Sequence, residues 1–499
     1  MVSRIDRGAL VAKHSPHYHA VNPTAPLSVG NGEFCFTTDV TGLQTFPTDY
    51  SVDSDAGSTP GTLLGTLSQW AWHSTSAPPY DVNESYRFYE TAQGSVPYVD
   101  LGNNSSIHDQ HGESPAEEWL RNNPHRLDLG RVGLWTGSQP DIEKLGNIDQ
   151  TLDLGAGILS SRFVLDGRQM DVRTAAHPDC DAIGVLIETA DGGEVGVRLR
   201  FPYGSEDWGN AADWDAPDRH RTTITTVDQG WCLKRTIDDT SYSIRITAPA
   251  AELVRLAEHD IVVQSSGRLQ VTIEFSGGNC GNGMIQPGPL RASQVHTATT
   301  AHWQKFWATG GAIDFSESDD SRAHELERRV ILSQYLTAIQ CAGSTPPAET
   351  GLTMNSWRGK FHVEMHWWHA AHFPLWGRPE LLERSLPWYE MCWHGPRRPR
   401  VHRGMWVRAG PNRWDPTVAK RPAISVRSWS GSSRIPSILP SWCIDHDETD
   451  RPSNAGRRSS SRPPPSWRRS QLPVKWALNS ARRLPSEGLG HNGGTAWLV

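Results

Sequence analysis

The sequence predicts a large antiparallel β-sandwich followed by an all-α domain too short to close on itself, and three observations carry that reading. Between residues 20 and 300, apolar and polar residues alternate in runs joined by Asp/Gly turns, without intervening helical stretches. After residue 300 the hydrophobic period lengthens to that of a helix. Beyond Met391 neither period survives.

Taken in order, GILSSRFVLDGRQMDVRTAAH (157–177) alternates about a DG turn, and AIGVLIETADGGEVGVRLRFPYG (182–204) repeats the pattern about another. TTITTVDQGWCLKRTIDDTSYSIRITA and LQVTIEFSGG continue it. Many strands joined this way stack as two antiparallel sheets. Residues 80–128, with NESYRFYE, LGNNSSIHDQHGES and LRNNPHR, read as long polar loops over the sandwich. AHWQKFWATGG (301–311) suits a short helix closed by glycines. FSESDDSRAHELERRVILSQYLTAIQCAG (315–343) opens with capping Ser and Asp residues before the apolar series Leu326, Val330, Leu336 and Ile339. GRPELLERSLPWYEM (377–391) breaks at Gly-Arg-Pro and resumes a helical pattern. The boundaries that follow are 20–300 for the sandwich, 301–345 for linker helices, 346–391 for the start of a helical domain and 392–499 for a tail.

The formal net charge of −7 conceals a split. Residues 392–499 carry 17 Arg, 2 Lys, 4 Asp and 2 Glu, a balance of +13, which leaves −20 for residues 1–391. A nucleic-acid-binding tail is disfavoured, because its eight tryptophans come without Gly-aromatic repeats or a folded RNA-binding signature. Arg, Pro, Ser and Trp are what GC-rich DNA encodes when read out of register, and Ser428–Trp442 can be back-translated and shifted by one base to read LVWQQPHPIHPAEL. The tail is therefore expected to be out of frame, irregular and disordered. Seven scattered cysteines without a CxxC predict neither a disulfide framework nor a zinc-finger pattern. The start lacks a signal-peptide apolar core and no stretch has the apolar length to cross a bilayer, so a soluble, cytoplasmic protein with no membrane partner is expected.

Residues 360–376, KFHVEMHWWHAAHFPLW, hold four histidines, three tryptophans and one glutamate. On a helix His362, His366, His369 and His372 share one face at metal-ligand spacing, yet Glu364 lies between the first two and cannot act as the base of an HExxH site. Histidines that simply satisfy partners among packed tryptophans are the more ordinary reading than metal ligands. A sugar site is the stronger functional reading, since glycosidic cleavage needs carboxyl groups among aromatic faces and hydrogen-bond donors. Asn355, Trp357, Arg358, Lys360, His362, Glu364, His366, Trp367 and Trp368 supply these within a short span, with one carboxylate where a pair is needed. GNG (30–32) reads as a turn, NES (83–85) and NNSS (103–106) as polar loops, and SQWAWHS (68–74) either as a loop toward the site or as sandwich aromatics.

ELERRVILSQYLTAIQCAGSTPPAETGLTMNSWRGKFHVEMHWWHAAHFPLWGRPELLERSLPWY resembles the start of the catalytic barrel of six-hairpin glycosidases, the group that includes glycoside hydrolase families 65 and 95. LSVGNGEFCFTTDVTGLQTF, LGTLSQWAWHS and NNPHRLDLGRVGLW resemble its leading β-domain, so the resemblance covers residues 20–391. It implies a β-supersandwich followed by an (α/α)6 barrel, here truncated, with carbohydrate as substrate. Glu364 falls on the Glu of the family 65 Trp-Asp-Thr-Glu motif, and His362 stands where that motif has Asp. By resemblance Glu364 would contact or help activate the substrate, Trp357, Trp367 and Trp368 would wall it, and Lys360, His362 and His366 would bind hydroxyls. The implied chemistry is acid/base cleavage, usually inverting, with no metal or organic cofactor; phosphorolysis also occurs in the wider group. Twelve helices of about 12 residues with their loops need roughly 200 residues, whereas Arg322 to Met391 offers 70. The later acid and base of the group are thus expected to be missing, and a non-catalytic carbohydrate-binding protein is the alternative, with a metallohydrolase third. Sugar, linkage and oligomeric state stay open.

Overall fold

The computed structural model describes residues 5–50, 64–76, 86–92, 94–99, 115–278, 288–361 and 363–389. His362, the NES and NNSS segments and the tail 392–499 lie outside the described residues.

The alternating runs form two antiparallel sheets. The larger has nine strands in the spatial order His17–Tyr18, Leu145–Asp153, Ile158–Leu165, Arg168–Ala176, Ala182–Thr189, Arg268–Ser276, Thr240–Thr247, Gly230–Ile237 and His220–Val227. The smaller has four, Glu252–Ala257, Asp260–Ser266, Glu194–Arg200 and Arg131–Trp135. Period-2 patterning sets the register: in Ile158–Leu165, Leu159, Ser161, Phe163 and Leu165 are buried, and Phe163 pairs across the ladder with Met170. Inner-face residues of both sheets, among them Phe163, Val185, Val197, Leu199, Val263 and Ile273, share one core.

Helix α1 (Arg7–Lys13) opens the chain, with the Asp6 carboxylate accepting from the Ala9 N–H at 3.0 Å. Residues 80–128 depart from the expected loops: they contain a hairpin, Tyr86–Thr91 with Gly94–Val99, and helix α2 (Pro115–Asn122). Helix α3 runs from Ala292 to Ala308, starting nine residues before the predicted linker, and lies against the nine-stranded sheet. Two glycines permit that approach. A Cβ on Gly184 would stand 2.8 Å from the Val295 Cβ, and one on Gly157, where φ is +67°, would meet the Trp303 ring at 2.0 Å. The Trp307 indole donates to the Leu154 carbonyl at 2.7 Å, and Thr299 Oγ1 donates to the Ala176 carbonyl at 2.7 Å.

Helix α4 (Ala323–Gln340) buries Ile331, Leu332, Tyr335 and Ile339 with Glu327, while Leu326 is exposed and Val330 half-buried. The predicted face is therefore rotated. The buried Glu327 masks it in the sequence; its carboxylate accepts from Lys13 Nζ (2.8 Å), His14 Nε2 (2.6 Å) and the Phe315 N–H (2.6 Å). GNG is a turn, with the Gly32 N–H donating to the Ile339 carbonyl at the end of α4. Beyond residue 346 the helices are short: α5 (Val363–Ala370) and α6 (Pro379–Glu383), so among the described residues no helical barrel is formed.

Cys35, Cys180 and Cys341 are free and buried, and Cys232 is disulfide-bonded. Among the described residues no helix is long and apolar enough to cross a membrane.

Candidate carbohydrate site

The NSWRGK stretch is clamped to the sandwich before α5 begins. Trp357, Arg358 and Gly359 are successive left-handed residues with φ of 54°, 60° and 67°, a conformation that costs non-glycine residues roughly 1–2 kcal/mol each. Contacts from far along the chain hold it. The Arg358 N–H donates to the Trp208 carbonyl and its Nε to the Glu206 carbonyl, both at 2.9 Å. Arg126, fully buried and 4.5 Å above the Trp72 ring, donates to the Gly359 carbonyl at 3.1 Å. No side chain fits at 359, where a Cβ would lie 2.3 Å from Asn355 Oδ1. The Trp357 ring meets Trp208 edge-on at 5.5 Å.

Lys360 points into the sandwich, where its ammonium donates to the carbonyls of Leu120 (3.2 Å), Arg121 (2.6 Å) and Asn123 (3.0 Å), closing the C-terminal end of α2. Burial, with Arg358 and Arg121 nearby, holds its pKa well below the ordinary lysine value. All three donors are engaged, so no N–H is left for a sugar hydroxyl.

His366 also faces inward. Nδ1 lies 2.8 Å from the Tyr389 hydroxyl and Nε2 lies 2.8 Å from Ser385 Oγ, and burial lowers the imidazole pKa to about 4. His369 donates from Nε2 to the Glu349 carbonyl at 2.9 Å, and His372 is lowered to about 4, again by burial. These histidines serve separate packing partners instead of converging on one point. The ligand-distance group among the described residues lies elsewhere, at exposed His17, His19 and Asp149, which sequence reading missed because Asp149 joins the pair through strand pairing.

The outward side of α5 carries the remaining predicted residues. Trp367 is 38% and Trp368 50% exposed, and the Trp368 indole donates to Glu364 Oε1 at 3.3 Å. Leu375, 69% exposed, follows in the next turn. Glu364, Trp367 and Trp368 are thus presented together, whereas Lys360 and His366 belong to the interior and Trp357 to the clamp. A concave feature of about 630 Å³ lies on the sandwich side and includes Glu33, Trp70, Asp181 and Glu274. Trp70, within SQWAWHS, is the one signal in the sequence that pointed there.

No family model matches the chain, and no curated protein matches it. Among solved structures it is similar to a human-microbiome protein described as a kojibiose phosphorylase, at 9% identity, 77% coverage of this chain, 47% of that one and a TM-score of 0.45. A bacterial glucoamylase complexed with acarbose aligns at 6% identity over 52% of this chain and 41% of that one, with a TM-score of 0.33. A family GH92 alpha-mannosidase from Bacteroides thetaiotaomicron, in complex with mannoimidazole, aligns at 11% identity over 67% and 41%, with a TM-score of 0.24. The chain spans less than half the length of each. With TM-scores below 0.5, none of the three bears on what this chain does.

Proposed function

We propose that the chain is a carbohydrate-active protein on the plan of a glycoside hydrolase, and that its α5 surface binds sugar. The observation that supports this reading is the grouping of two exposed indoles with one carboxylate on the outward side of α5. Indole faces pack on the C–H faces of a pyranose, and the Glu364 carboxylate accepts from its hydroxyls. Acid/base cleavage needs a second carboxyl on the other side of the scissile bond, and none hydrogen-bonds within this surface among the described residues. Binding without turnover is the expected behaviour.

Calorimetry of the full chain with a panel of neutral oligosaccharides tests this, alongside assays for released sugar with and without phosphate. Saturable heat that vanishes in Trp368→Ala, with no product, supports the reading. Product that disappears in Glu364→Gln makes the chain a working glycosidase, or a phosphorylase if phosphate is required. Absence of both heat and product overturns the proposal.

A further inference from the structure

The sandwich-side cavity shares no residue with the α5 surface, and its chemistry is different. Its walls carry five carboxylates, Glu33, Asp179, Asp181, Asp239 and Glu274, together with Trp70 and Trp72. No Lys, Arg or His lines it among the described residues. Two of the acids are fixed by the protein. Asp181 accepts from Ser68 Oγ at 2.6 Å and from the Trp70 indole at 2.7 Å, and Glu33 accepts from the Ser344 N–H and hydroxyl at 2.6 and 2.7 Å.

Glu274 is different. It is 96% buried, since its exposure is 4%, and it lines the cavity, yet no hydrogen bond reaches its carboxylate among the described residues. Arg245 is its cross-strand neighbour but makes no ion pair with it. The Glu274 oxygens are not among the sequestered side-chain atoms that lack a partner, so they stay open to the cavity, where water or a ligand supplies their hydrogen bonds. Burial accordingly raises the Glu274 pKa, partly offset by Arg245.

We infer that this cavity binds a small organic cation, a protonated amine on a polar framework, with Glu274 as its ion-pair partner and Trp70 as an aromatic wall. The carboxylates can accept from the hydroxyls of a neutral polyol, but an ammonium group adds charge attraction to the five acids and to the indole face, which a neutral ligand lacks. Trp70, half-buried with its N–H held by Asp181, is fixed in orientation, so its ring is a preformed surface.

The test uses the full chain and glucosamine as the cationic probe, with glucose and N-acetylglucosamine as neutral counterparts of similar shape. Titration followed by tryptophan fluorescence and calorimetry is expected to show saturable glucosamine binding at least about tenfold tighter than either neutral sugar, the scale of one charge-assisted hydrogen bond. Added salt is expected to weaken it. Glu274→Gln is expected to remove most of that preference, and Asp239→Asn, which leaves the Trp70–Asp181 contact intact, to weaken glucosamine severalfold. Equal affinity for the neutral sugars, no saturable glucosamine signal, or an unaltered preference in a folded Glu274→Gln protein each overturns the inference. Trp368→Ala is expected to leave glucosamine binding unchanged, so failure here and failure of the α5 reading are distinguishable.

Discussion

The sandwich and the stretch from 346 to 389 obtain their order in different ways. In the sandwich many ladders join strands that follow one another along the chain: Ile158–Leu165 pairs with Arg168–Ala176 over seven registered positions, and its buried side chains meet a core made of like strands. In the later stretch the helices have eight and five residues, too short to be stable alone in water. What holds them is the sandwich and its linker. Arg126 grips Gly359, Lys360 grips α2, and Arg378 donates to Gln334 Oε1 on α4 and to the Phe306 carbonyl of α3. The difference teaches that the charged residues of this stretch act first as anchors.

The sharpest way to break that contrast is to cut an anchor. Lys360→Met keeps the length of the side chain and leaves three buried carbonyls without donors. A loss of about 3 kcal/mol or more is expected, read as a lower urea midpoint together with faster proteolysis near residues 350–361. A variant as stable as the parent would show that the stretch does not depend on the sandwich.

Gly157→Ala attacks the contact from the sandwich side. The added methyl would meet the Trp303 ring and sit at a positive φ, so α3 must lift from the sheet or the turn must reshape. About 2–3 kcal/mol of destabilisation is expected, with a matching fall in melting temperature. Ala at Gly167, which has a positive φ but nothing near its would-be Cβ, serves as the control, and its effect is expected to be smaller.

His366 makes the comparison pH-dependent. Its folded pKa lies near 4, below the ordinary histidine value of 6.5. Between those values the unfolded chain binds the proton and the folded one does not, so stability rises with pH in this window and is lost as pH falls from 6.5 toward 4. The shift corresponds to about 3 kcal/mol. His366→Gln, whose amide can reach Ser385 and Tyr389, is expected to flatten that slope by a comparable amount when urea midpoints at pH 4.5 and 7 are compared. An unchanged slope would assign the acid sensitivity to other buried histidines, such as His220, held near 3 by burial and by Arg235.

These contrasts also explain what the sequence could reveal. Strand alternation is a local property, so the sandwich and its DG turns were legible at Ile158–Leu165 and its neighbours. The face of α4 was not, because a buried Glu327 is indistinguishable from a solvated one until Lys13 and His14 are seen to reach it. Lys360 was legible as a polar group beside tryptophans and illegible as a helix cap, since the carbonyls it serves lie 237 to 240 positions earlier. The partners of His366 were illegible for a related reason: Ser385 and Tyr389 sit beyond a turn that no spacing rule reveals. Motif spacing identified where polar and aromatic groups gather, but burial decided which of them remain available to a ligand.

Trp368→Ala carries the smallest expected structural effect and separates anchor from ligand surface most cleanly. The side chain is half exposed, and its hydrogen bond is to a neighbour one helical turn away. Removing it is expected to change stability by no more than about 0.5 kcal/mol. Soluble proteins rarely leave grouped indoles in water without use, so the same substitution is expected to abolish neutral-oligosaccharide binding measured by calorimetry. If instead the variant melts several degrees lower and sugar heats are unchanged, Trp368 belongs with Lys360 and His366 among the packing residues. The whole of 346–389 would then be a structural attachment to the sandwich, and ligand recognition would rest with the sandwich cavity.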